Sequence, residues 1–144
     1  MAKQQGESGD RDLVVIVGCG RLGALLAGRL SQAGRRVVVI DRREEAFNLL
    51  PAEFSGFRVT GDAVEHEVLR AADLAKAGCL IAVTQKDTLN LMVAQVARLV
   101  FAVPRVLARV YDPRKEVFYQ RFGIETVSPT ELTADALVEA VGLG

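Results

Sequence analysis

The chain has no tryptophan, a single histidine and two cysteines among 144 residues, and aromatic residues make up 6% of it. Cys19 and Cys79 match no metal-ligand spacing, and nothing suggests a disulfide framework. A reducing compartment is the simplest setting for such a chain. His66 lies between Glu65 and Glu67 with no motif-linked partner, so a catalytic proton relay has no basis and a solvated side chain is expected. No paired-carboxylate, nucleophile–base or metal-ligand constellation stands out, which leaves no catalytic or metal residues to nominate. Charge of one sign is also missing: 18 Lys and Arg offset 18 Asp and Glu. That balance argues against nucleic acid as a partner and against electrostatic attachment to a membrane. Long hydrophobic runs are absent. The longest apolar stretch, Leu89 to Val103, is broken by Asn90, Gln95 and Arg98 and stops before Pro104, so direct membrane insertion is excluded. Residues 1–12 are polar and lack the apolar centre of a signal peptide. They are expected to be flexible, with 13–144 forming one folded unit large enough for a real core.

What the chain has is a strand that runs into glycines. Leu13-Val14-Val15-Ile16-Val17 is continuous and apolar, as in a parallel strand buried on both faces. Gly18-Cys19-Gly20-Arg21-Leu22-Gly23 follows, and Leu22, Leu25, Leu26, Leu30 and Ala33 then recur at helical spacing. This strand–turn–helix context lifts the GxGxxG pattern above chance. Gly18 suits the tight turn, Gly20 close approach of a phosphate, and Gly23 packing of helix on strand. Free N–H groups at the helix start, with its dipole, suit a phosphate. Asp41 closes the next strand, Val37–Asp41, at the spacing where a carboxylate accepts hydrogen bonds from a ribose. Together these features predict an adenine nucleotide: NAD(H), ATP, ADP or AMP.

Strand and helix signals alternate to the end. Strands are expected at 13–17, 37–41, 57–60, 79–84, 105–110 and 124–127. Helices are expected at 21–33, 44–50, 65–72 with a further turn at 73–77, 87–101, from Asp112-Pro113 to about 122, and from Ser128-Pro129 to about 141. On the long helix, Leu91, Val93, Ala94, Val96, Ala97 and Val100 are expected on the buried side. Six alternating strands imply an α/β fold: a Rossmann-like, doubly wound parallel sheet of order 3-2-1-4-5-6, with its ligand at the switch between strands one and four.

Candidate site residues follow from that frame. Arg21 and Leu22 lie inside the glycine turn. Arg21 suits a bidentate phosphate contact, against the alternative of a surface arginine on the first helical turn. Asp41 either holds a ribose or caps the segment after it. Its charge disfavours a 2′-phosphate, an exclusion that Arg42 and Arg43 weaken. Asp62 and Ala63, in the turn after strand three, either meet the adenine or, for Asp62, cap the following helix. Thr84 lies near sugar or phosphate, Asp87 is expected to be a helix cap, and Asn90 to point from the first helical turn. Arg109 ends strand five on the same rim, in reach of a nucleotide or a neighbouring subunit.

Six blocks occur in one order: Val-Gly-Cys-Gly-Arg-Leu-Gly at 17–23, Val-Ile-Asp at 39–41, Gly-Asp-Ala at 61–63, Ile-Ala-Val-Thr-Gln-Lys-Asp-Thr-Leu-Asn at 81–90, Ala-Arg-Val at 108–110 and Phe-Gly-Ile-Glu-Thr-Val-Ser-Pro at 122–129. Over residues 12–141 the chain resembles the N-terminal regulator-of-potassium-conductance (RCK) domain, also called KTN or TrkA-N, of Trk and Ktr potassium-uptake regulators. The resemblance implies a cytoplasmic homodimer, or a larger ring built from dimers, at the inner face of the plasma membrane. A membrane potassium transporter or channel subunit would be its partner, gated by nucleotide-dependent changes of shape. It places Gly18, Gly20, Arg21 and Gly23 at phosphates, Asp41 at the ribose, Asp62 and Ala63 at adenine and Thr84 near the sugar-phosphate. Some relatives hold a divalent cation with a glutamate directly after the final proline; here Thr130 follows Pro129, and Glu131 comes one place later. Two other readings compete: an NAD-dependent oxidoreductase, and a redox sensor using Cys19, since a helix N-terminus can lower a thiol pKa.

Overall fold

The computed structural model describes residues 12–142. Five strands surround the first in one sheet of order β3-β2-β1-β4-β5-β6, and every neighbouring pair is parallel. The strands are β1 (Leu13–Val17), β2 (Arg36–Asp41), β3 (Phe57–Thr60), β4 (Cys79–Ala82), β5 (Arg105–Arg109) and β6 (Glu125–Val127). The helices are α1 (Arg21–Gln32), α2 (His66–Ala71), α3 (Asp87–Leu99), α4 (Glu116–Gln120) and α5 (Pro129–Ala140). The expected sheet order holds, and the chain has the Rossmann-like fold that the alternation implied.

Side chains alternate across the sheet, as strand geometry requires. Val15, Val17, Val38 and Ile40 enter one core with α2, α3 and Tyr119. Val14, Ile16, Val37 and Val39 enter the other with α1 and Phe47. The apolar runs of β1 and β2 therefore serve two layers, which is why they show no polar alternation.

Segment 44–50 is tighter than expected: Glu44–Leu49 is a 3-10 turn, and others lie at Leu74–Lys76 and, before α4, at Pro113–Lys115. β4 stops at Ala82, because Val83 and Thr84 turn into the loop that leads to α3. On α1 the buried residues are Gly23, Ala24, Ala27 and Gly28, whereas Leu22 and Leu25 are exposed. Small residues face the sheet here because helix and strand approach too closely for leucine. On α3 the buried stripe is Asn90, Val93, Ala94 and Ala97, with Leu91 and Val96 half-buried and Val100 exposed. α5 buries none of its residues. The N-terminal segment expected to be flexible lies outside the described residues apart from Asp12, whose carboxylate meets Arg35 at 2.7 Å.

Two glycines fix the turn between β1 and α1. Gly18 has φ +106°, a conformation that side-chain-bearing residues rarely adopt. A Cβ on Gly23 would collide with the Gly18 carbonyl oxygen, whereas one on Gly20 would meet nothing within 4 Å. Gly23→Ala is therefore expected to lower unfolding free energy by about 1–3 kcal/mol, the usual range for overpacking. Gly20→Ala should leave it almost unchanged, since Gly20 has φ −81° and ψ −161°, open to alanine. Urea titration of the two variants checks this contrast.

Candidate functional site

A cleft of about 1050 Å³ opens at the carboxyl ends of β1, β2 and β4, the topological switch point of the sheet. Of the residues nominated for nucleotide contact, all but one line it: Gly18, Gly20, Arg21, Leu22, Asp41, Arg42, Asp62, Ala63, Thr84 and Arg109. The exception is Gly23, which lies behind the turn and holds it against β1.

The turn and Asp41 form one hydrogen-bonded unit. The Gly18 amide donates to the Ile40 carbonyl at 2.8 Å, and the Cys19 amide donates to Asp41 Oδ2 at 2.8 Å. Asp41 Oδ1 accepts from the Arg43 amide at 2.8 Å. The carboxylate is thus oriented from both sides, and each oxygen retains a further acceptor site. Arg43, not Asp41, is the N-cap of the 3-10 turn that follows. At the start of α1, Gly20 is the N-cap without a side-chain cap, and no acidic residue occupies the first turn. Its first N–H groups therefore lack intrahelical partners at the positive end of the helix dipole.

The charges around the cleft are unevenly matched. Arg43 pairs with Glu45 at 3.1 Å. Arg21, Arg42 and Lys86 make no side-chain hydrogen bond or ion pair among the described residues, and all three line the cleft. This arrangement suits an anionic ligand.

Asp62 does not cap α2, whose N-cap is Glu65. Its Oδ1 accepts from the Val64 amide at 3.1 Å, closing a local turn that presents Asp62 and buried Ala63 at the cleft edge.

The opposite wall is more heavily cross-linked than the sequence suggested. Asn90 does not point outward: it is fully buried. Its Oδ1 accepts from the Thr84 amide at 3.0 Å and the Thr84 hydroxyl at 2.6 Å, and its Nδ2 donates to the carbonyls of Thr84 and Arg109, each at 3.0 Å. All four of its hydrogen-bonding positions are used. The Arg109 guanidinium donates to the Val83 and Thr84 carbonyls at 2.7 and 3.0 Å and lies 4.9 Å from the Tyr111 ring centre. Asp87 is not a cap either, since Lys86 holds that position. Its carboxylate reaches across to the Tyr111 and Asp112 amides at 2.8 and 3.1 Å.

Tyr111 is a lining residue that sequence reasoning missed, and for Asn90, which it placed on the first helical turn, it missed the buried cross-linking role. A signal for Asn90 existed: 90, 93, 94 and 97 form a helical stripe whose other members are apolar, and a polar residue in such a stripe must find partners inside.

The burial of Cys19 argues against the redox-sensor reading. The Cys19 side chain is buried, which pushes its thiol up to about 11, with the Asp41 charge adding and Arg58 partly opposing. Desolvation is the largest cause, so the thiol stays protonated at neutral pH. His66 is exposed, with its ring 6.0 Å from that of Phe101, and does not line the cleft.

The fold and the cleft define a Rossmann-type module whose cleft lies at the switch point. Within that class, the chain belongs to the TrkA-N domain family, whose model matches residues 14–129. It is 46% identical over 125 residues to the Trk system potassium uptake protein TrkA of Streptomyces coelicolor, covering 87% of this chain and 56% of that protein. The chain thus spans a little over half the length of that relative. Among solved structures it resembles GsuK bound to ADP, with a TM-score of 0.77 and 26% identity over 92% of this chain and 34% of that one. The GsuK channel bound to NAD gives 0.74 and 27%, covering 87% and 22%. The Kef C-terminal domain of Shewanella denitrificans in its AMP-bound form gives 0.76 and 26%, covering 91% and 80%.

The thiol assignment has a pH consequence. Because the folded-state pKa is raised above the ordinary value of 9.0, the stability linked to it is intact below pH 9 and is lost as pH climbs towards about 11. Alkylation of Cys19 by iodoacetamide at pH 7.5 should accordingly be at least about a hundredfold slower in folded than in urea-unfolded protein. Equal rates in the two states would contradict the assignment.

Proposed function

We propose that this chain is a nucleotide-sensing regulatory module of a potassium transporter or channel, with no reaction of its own. The observation that carries the reading is the pairing of an open Gly20 and an uncapped α1 with the oriented carboxylate of Asp41. A phosphate would meet the N–H groups of the turn, joined by Arg21, and an adenosine ribose would donate to Asp41. Asp62 and Ala63 would border the adenine. Thr84, Arg42 and Arg109 would face the sugar-phosphate from the other walls.

The ligand class follows from chemistry shared with the structural neighbours, which carry NAD, ADP or AMP, all containing adenosine. Asp41 favours a free 2′-hydroxyl over a 2′-phosphate. Family membership and the TrkA relatives support a role in potassium uptake. In that role the domain would act at the cytoplasmic face of the membrane, as a homodimer or larger ring attached to an integral subunit. No helix among the described residues is long and apolar enough to cross a membrane, in keeping with attachment through a partner. A bound nucleotide would shift the assembly between shapes only by the difference in its affinity for them. The position of His66 outside the cleft lining supports a binding module over an oxidoreductase.

Calorimetric titration of nucleotide-free protein with ATP, ADP, AMP, NAD+ and NADH tests the reading. At least one should bind, and Asp41→Ala should weaken it about ten- to a hundredfold, the value of hydrogen bonds to a charged group. Gly20→Ala should weaken it comparably with its fold intact. Absence of binding by all five would overturn the proposal.

A further inference from the structure

The polar cross-links of the cleft wall extend past the cleft. Thr84 and Arg109 line it, and Asn90 binds both through their backbone. Three positions before Asn90 on the same helix, Asp87 binds the Tyr111 and Asp112 amides through its side chain. The Asp87 carbonyl accepts from the Tyr119 hydroxyl at 2.6 Å. Tyr119 belongs to α4 and is fully buried. No residue of α4 lines the cleft. Its outer side bears Val117, 62% exposed, and Phe118, 46% exposed, whose ring packs edge-on to Phe122 at 5.4 Å.

We infer that Asp87, Asn90 and Tyr119 are positioning residues that join the cleft wall at 83–90 to α4, so that the wall and the apolar outer surface of α4 order as one unit. The physical reason lies in burial. Asn90 has no spare donor or acceptor, so displacing Thr84 leaves the buried amide unpaired, which is costly away from water. The first turn of α3 therefore follows the wall. Asp87 sits on that turn and holds the entry to α4 by two amides, while the Tyr119 hydroxyl holds its last turn. A chain of this kind makes local opening cooperative. The ligand-linked part of this inference rests on the nucleotide reading above; the structural part does not.

Residue-resolved amide exchange on the full chain tests both parts. Tyr119→Phe removes one bond from the chain and keeps the ring; Asp87→Ala removes two others. In protein alone, each variant should raise exchange at the Thr84 amide about tenfold, the loss expected for one buried hydrogen bond. The Val15 and Ile16 amides of the central strand should exchange as in the parent, which separates local coupling from global weakening. In the parent protein, saturating ADP should slow exchange at the amides between 113 and 120, all of them past Pro113, and the variants should lose this slowing while 18–23 remain protected. Unchanged Thr84 exchange in both variants would overturn the inference whatever the ligand does. ADP protection of 18–23 without any at 113–120 would overturn its ligand-linked part. Failure of ADP and the other four nucleotides to bind would overturn the nucleotide reading instead, leaving the first comparison to decide the coupling.

Discussion

The carboxylate of Asp41 is the constraint on which the cleft depends. It accepts the Cys19 amide from the β1–α1 turn and the Arg43 amide from its own loop. Two separate strand–helix crossovers are thereby fixed to each other at one end of the sheet. The turn itself is held from behind by the contact of Gly23 with Gly18, which leaves no room for a Cβ. Close packing on one side and a charged acceptor on the other leave the glycine turn little freedom. Preorganisation of this sort reduces what a ligand must order on binding.

The sheet order and the glycine turn were legible because their signals are local. Val37–Ile40 can only be a buried strand, and a strand that runs into GxGxxG and then a helical stripe has few alternatives. The faces of the helices were less legible. Leu22 and Leu25 fall in the apolar helical spacing, yet both are exposed, and Gly23, Ala24, Ala27 and Gly28 took the buried side. The cap readings of Asp62 and Asp87 failed for a different reason. Aspartate before a helix is so often a cap that propensity favours it, yet Asp87 found two amides 24 and 25 positions away, a partner no local pattern records. The same holds for Asn90 and Arg109, whose partners come together only when β4 and β5 pair.

Cys19 shows two effects of opposite sign meeting at one atom. Its position at the end of β1, just before a helix, suggests a stabilised thiolate. Full burial and the neighbouring carboxylate work the other way, and the thiol is pushed up to about 11. The helix terminus acts on the cleft side, where Gly20 is exposed, while the thiol points into the core shared with Val14, Ile16 and Phe47. Backbone at this turn is thus open to a ligand while the side chain beside it is closed to reagents.

The electrostatics of the cleft complete the argument. The chain as a whole carries no net charge, so its long-range field contributes little to steering an anion. Screening at physiological salt confines charge effects to roughly 8 Å in any case. On the proposed reading, selection would occur inside the cleft, where Arg21, Arg42 and Lys86 stand unpaired among the described residues while Asp41 and Asp62 are held by backbone amides. Cations free to reorient suit phosphates whose number varies between ligands. Carboxylates fixed in place suit the adenosine end, which does not vary. On the proposed reading, a site divided this way would recognise the common part of a family of nucleotides rigidly and meet the differing part with flexible charge, so that a response distinguishing one nucleotide from another would originate at the flexible end.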